Sequence, residues 1–68
     1  MNQKDTLEHL KQKYGRLMIS QHEAMTELNI KINTMIKLRK GGELKSKMVG
    51  GKAMINIGDL AAYMIDTH

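Results

Sequence analysis

The sequence contains no cysteine, no proline, no tryptophan and no phenylalanine, and its 68 residues include only two tyrosines. Without cysteine there is no disulfide framework, no zinc finger and no thiol chemistry. The three histidines, His9, His22 and His68, are too scattered to form a ligand cluster, so no metal site is expected. No apolar run approaches the 18 or more residues that cross a bilayer, and no basic-then-apolar leader is visible, so the expected location is the cytoplasm. A chain this short buries only about 60% of its unfolded surface and has no room for a large enclosed substrate cavity. The seven methionines suit adaptable core filling better than a binding surface.

Negative charge is scarce in one stretch. Residues 1–30 balance four bases (Lys4, Lys11, Lys13, Arg16) against four acids (Asp5, Glu8, Glu23, Glu27). Residues 31–52 set seven bases (Lys31, Lys37, Arg39, Lys40, Lys45, Lys47, Lys52) against Glu43, a net +6 within 22 residues. A concentrated basic stretch is the electrostatic footprint of a polyanion-binding surface, duplex DNA above all, although a merely solvated face has the same composition.

Leu7, Leu10 and Tyr14 recur at helical spacing, with Asp5 and Glu8 as an N-terminal capping pair and Gly15 as the stop. The resulting apolar stripe must dock either on the rest of the domain or on a second copy. Leu17-Met18-Ile19 forms a short apolar run, after which Ser20 and Glu23 match a Ser-x-x-Glu capping box and start a second helix at Gln21. Ala24, Met25 and Leu28 are its apolar face, and Asn29 suits a left-handed turn. A third helix runs from about Lys31 to Lys40 and stops at Gly41-Gly42. Two short helices joined by a three- or four-residue turn make a helix-turn-helix.

Beyond Gly42 the pattern alternates. With Gly50-Gly51 as a two-residue hairpin loop, Val49 pairs with Lys52, Met48 with Ala53 and Lys47 with Met54. Leu44, Ser46, Met48, Ala53 and Ile55 then form a core-facing side, and Lys45, Lys47, Val49, Lys52 and Met54 the other. Asn56 and Asp59 open a last helix carrying Leu60, Tyr63 and Met64. The expected fold is mainly α with a small β-hairpin: a winged helix-turn-helix over 17–68, preceded by an N-terminal docking or oligomerisation helix over 1–16.

The stretch Leu17 to Ile65, 49 of the 68 residues, resembles excisionase-like DNA-binding domains related to the MerR winged-helix group. The matching pieces are Glu23-Ala24, Leu28-x-Ile30, Thr34-Met35, Gly42-Glu43-Leu44, Val49-Gly50-Gly51-Lys52, Ile55 and Asp59-Leu60. Tyr14-Gly15 and Asp59-Leu60-Ala61-Ala62-Tyr63 are similar, more weakly, to small phage activators of the pyocin-activator group. The chain departs from the pattern at Ile32, where a polar or basic residue is common, and at Ala53 and Met54, where the wing carries an aromatic and an arginine. The resemblance implies an architectural or regulatory protein of a phage or mobile element that binds repeated sites, bends DNA and sets the direction of an integrase, or regulates transcription.

The candidate recognition-helix residues are Lys31, Asn33, Thr34, Lys37 and Lys40, with Asn33 placed to read an adenine edge. The candidate wing residues are Lys45, Lys47 and Lys52, over the adjacent backbone or minor groove. Leu7, Leu10, Tyr14, Ile32 and Ile36 are candidate interface residues, and for the two isoleucines thymine-methyl contact, protomer contact and plain core packing all stay open. No enzyme is expected. Ser20 is used as a cap, Ser46 and the four threonines have no base and orienting acid at motif spacing, and neither glycine pair makes a phosphate loop. Glu23 and Glu27, one turn apart, could hold a cation, but Glu23 is already the capping partner. No cofactor is implied. The expected partners are double-stranded DNA, further copies in a homodimer or cooperative row, and an integrase or RNA polymerase. The competing reading is a protein-interaction module on the same fold.

Overall fold

The computed structural model describes residues 3–66 and places them in seven elements. These are α1 (Gln3–Tyr14), β1 (Met18–Ser20), α2 (Gln21–Leu28), α3 (Ile32–Lys40), β2 (Lys47–Val49), β3 (Lys52–Asn56) and α4 (Ile57–Asp66). The fold is mainly helical, with a small antiparallel sheet in the order β1-β3-β2. His68 lies outside the described residues.

Each boundary has a local cause. The Ser20 hydroxyl accepts from Glu23 N–H at 3.0 Å and the Glu23 carboxylate accepts from Ser20 N–H at 2.9 Å, a complete capping box at the start of α2. Removing the hydroxyl in Ser20→Ala is expected to cost about 1 kcal/mol, read as a melting temperature lower by roughly 4–8 °C for a domain of this size. Asn29, left-handed at φ 55 and ψ 48, ends α2, and residues 29–31 turn the chain into α3. At the close of α3 the N–H groups of Glu43 and Leu44 both donate to Leu38 C=O, at 3.0 and 3.2 Å. Asn56 ends β3 and caps α4, its Oδ1 accepting from Gly58 N–H at 2.7 Å.

The hairpin register is Val49 with Lys52, Met48 with Ala53 and Lys47 with Met54. Gly50 and Gly51 stand at φ 57 and 80, the paired positive angles that a two-residue turn demands and that side chains with a Cβ resist. On the other side of β3, Ile19 pairs with Ile55, and both are fully buried. Around them gather Leu10, Ala24, Met35, Leu38, Leu44, Ile57, Leu60 and Ala61, contributed by all four helices and the loop before β2.

The structure corrects several sequence expectations. Asp5 and Glu8 do not cap α1, because the helix has already begun at Gln3; Asp5 sits in its first turn, where a carboxylate complements the positive end of the helix dipole. The stripe of α1 is filled by Leu10 and Thr6, both buried, flanked by half-buried Leu7 and Tyr14. It lies against α4 of the same chain, so Leu7, Leu10 and Tyr14 serve the core and not an exposed interface. The hairpin's inner side is only partly internal: Leu44 and Ile55 are buried, but Met48 is 60% exposed, since the β2 end projects past the helices. Ile32 does not join the core either and remains 46% exposed.

Candidate nucleic-acid interface

Helix α3 buries Met35 and Leu38, and a helical period of 3.6 then turns Asn33, Ile36, Lys37 and Lys40 to the opposite side. Lys31, Ile32, Asn33, Thr34, Lys37 and Lys40 are all exposed, and Ile36 is half-buried outside the core. Four of the five candidates, Asn33, Thr34, Lys37 and Lys40, are thus exposed on α3, and Lys31 precedes it as the N-cap residue. The three hairpin lysines are also exposed, but the strand alternation divides them from α3. Ser46 and Met48 meet α3 through Arg39, whereas Lys45 and Lys47 line an open concavity of about 300 Å³ on the outer sheet face, together with Met18, Met54, Asn56, Asp59 and, at its border, Ser46. Lys52 sits beside the hairpin tip, opposite Val49, which is 51% exposed.

Charges in the two halves of the chain have different fates. In the first half two of the four bases are matched at the surface: Lys13 pairs with Glu27 and Arg16 with Glu23. The Tyr14 hydroxyl donates to Glu27 at 2.6 Å, while Lys13 and Arg16 lie 5.5 and 5.9 Å from the centre of its ring. Among the described residues, Lys31, Lys37, Lys40, Lys45, Lys47 and Lys52 make no ion pair. Their field is left facing solvent.

The matched cluster predicts a pH response. The hydrogen bond from Ser20 N–H, joined by Arg16, holds the Glu23 carboxyl below its usual range. Partial burial pushes Glu27 up, but the hydrogen bonds from Lys13 and Tyr14 and the nearby positive charges outweigh it and leave Glu27 lowered as well. Both groups release protons more readily in the folded chain, so they stabilise it above about pH 4.5. That contribution is lost as pH falls through their lowered values. Burial and the Glu27 hydrogen bond push the Tyr14 phenol up to about 12, so its contribution is complete below pH 10 and disappears as pH rises through 12. Urea midpoints measured across pH should therefore fall at both ends, and Glu27→Gln should flatten the acid limb.

Arg39 is the residue beside the candidate site whose part sequence reasoning missed. Its guanidinium donates to Gln21 Oε1 at 2.6 Å and Ser46 Oγ at 3.1 Å, and Nη2 lies 3.9 Å from Met48 Sδ. It ties the start of α2, the end of α3 and the hairpin together. Only its place three residues before Gly42 and seven before Ser46 hinted at this, and that spacing is meaningless without the fold.

Among the described residues no cluster of histidine and carboxylate groups is placed to hold a metal, and no helix is long and apolar enough to cross a membrane. No family model matches the chain, and neither a curated protein nor a solved structure matches it.

Proposed function

We propose that the chain is a winged helix-turn-helix protein that binds double-stranded DNA in a sequence-specific way. In this reading α2 and α3 are the helix-turn-helix, α3 lies in the major groove, and the β2–β3 hairpin is the wing over the adjacent backbone. The observation that carries it is the uneven charge: Lys13 and Arg16 of the first half are paired with carboxylates, while the six lysines of residues 31–52 are exposed, without an ion pair among the described residues, and accompanied by Glu43 alone. Asn33, Thr34 and Lys37 supply base and phosphate contacts, Lys31 and Lys40 flank them, and Lys52 reaches furthest along the wing. Lys45 and Lys47 act from the outer sheet face and add general electrostatic attraction.

The protein acts by binding, without catalysis. The resemblance to excisionase-like domains supports a role in transcription regulation, in setting the direction of recombination, or in both, within a phage or mobile element. So small a domain covers few base pairs, and specificity then comes from a dimer or a cooperative row of copies, with an integrase or RNA polymerase as neighbour. Association with the nucleoid follows from the same reading.

Selection of duplexes from a random DNA library at about 0.15 M salt tests it, because nonspecific phosphate binding is weakened there. An enriched motif, repeated at helical spacing, is the expected result. A second reading, a protein-interaction module, is favoured by the exposed apolar side chains Ile32, Met48 and Val49. Folded protein that enriches no duplex would sink the first reading in favour of the second.

A further inference from the structure

We propose that α3 selects A·T-rich sites by touching thymine methyl groups with Ile32 and Ile36 while Asn33 reads an adjacent adenine; this rests on the DNA-binding reading above. Guanine is recognised in the major groove by arginine, through its bidentate fork, or by lysine, and here the α3 lysines are assigned to phosphate. The chain has two arginines, and both are engaged by hydrogen bonds to other groups of the chain. Arg39, the one on α3, is held by Gln21 and Ser46, and Arg16 donates to Met18 C=O and Glu23. A carboxylate to accept from cytosine is also missing, since α3 contains no acid.

What α3 does present is suited to the other base pair. Asn33 is exposed and carries the donor and acceptor that match adenine N6 and N7. Ile32 and Ile36 lie one turn apart beside it, Ile32 46% exposed and Ile36 outside the core cluster. Ile32 is exposed on a helix otherwise lined by Lys31, Lys37 and Lys40, while Ile36 is half-buried at the edge of a shallow concavity with Arg39, Lys40 and Ser46. The thymine 5-methyl group is the apolar feature that the major groove offers. The lysines on either side draw the helix against phosphate and so bring the isoleucines to the floor of the groove.

The test takes the full chain and a duplex chosen from the random library, and replaces thymines one at a time by deoxyuridine, which removes only the methyl. Affinity should drop about fourfold for each methyl contacted, the effect of one buried methyl group. In Ile32→Ala and Ile36→Ala the same replacement should have no effect, because the contact is already gone. Asn33→Ala should lose at least tenfold against an adenine-containing site and discriminate less at that base pair. A G·C-rich motif, or a site indifferent to deoxyuridine, would overturn the proposal while leaving DNA binding intact. So would Ile32→Ala altering sedimentation of the free protein with no loss of affinity, which would assign the residue to a contact between copies. Failure to enrich any duplex would overturn the DNA-binding reading itself.

Discussion

Replacing Leu10 with alanine is expected to destabilise the domain by about 2–5 kcal/mol, the range for emptying a fully buried leucine site. Total stability of a chain this size is roughly 3–10 kcal/mol, so a substantial unfolded population should form at room temperature. Leu10 is completely buried on α1, beside Thr6, where α1 lies against α4. The surroundings can collapse only by moving α1, which the Lys13–Glu27 and Tyr14–Glu27 contacts hold to α2. Circular dichroism during urea unfolding reads the loss as a lower midpoint with an unchanged slope. The midpoint should not depend on protein concentration, because the helix docks on its own chain. A concentration-dependent midpoint, or a Leu10→Ala variant as stable as the parent, would show that α1 belongs to an assembly between copies.

Much of this architecture is legible in the sequence because its signals are local. Ser20 and Glu23 stand at the spacing of a capping box and form one, and the paired glycines at 50 and 51 fix the hairpin register through their positive φ angles. Local signals fail where a long-range contact decides. Nothing near Asp5 reveals that the helix already begins at Gln3, and nothing local marks Thr6 as buried on a helix that packs against α4. The period-two alternation assigns Met48 a face but not a depth, and the helices do not extend far enough to cover it.

The candidate site divides in the same way. The exposure of Asn33, Thr34 and Lys37 follows once Met35 and Leu38 are recognised as the buried side of α3. The place of Lys45 and Lys47, across the sheet from the contacts that Ser46 and Met48 make with Arg39, follows from strand pairing combined with a packing choice. Composition counts all seven bases of residues 31–52 alike, whereas the fold separates them into an α3 set, an outer-face set in which Lys52 stands at the hairpin tip, and one half-buried, hydrogen-bonded arginine. That partition turns a net charge into a prediction about individual residues.

Lys37→Glu and Lys52→Glu should each weaken binding to a selected duplex about tenfold and lower the slope of log affinity against log salt by about one unit, as loss of one phosphate contact requires. The two sites lie on different elements and share no partner, so the double variant should lose about a hundredfold if the effects add. Both side chains are exposed and free of ion pairs, so thermal unfolding should stay within about 0.5 kcal/mol of the parent. Lys45→Glu is the internal control: it changes charge by the same amount, but from the foot of the hairpin near Asp59 instead of its tip, and should cost markedly less. A merely electrostatic attachment would respond equally to all three reversals, since each changes net charge by the same two units. A graded response, with Lys37 and Lys52 well ahead of Lys45, requires a defined docking geometry with α3 and the hairpin tip against the duplex. Equal losses would reduce the basic segment to a nonspecific polyanion surface, and unchanged binding by folded Lys37→Glu and Lys52→Glu proteins would remove α3 and the wing from the interface.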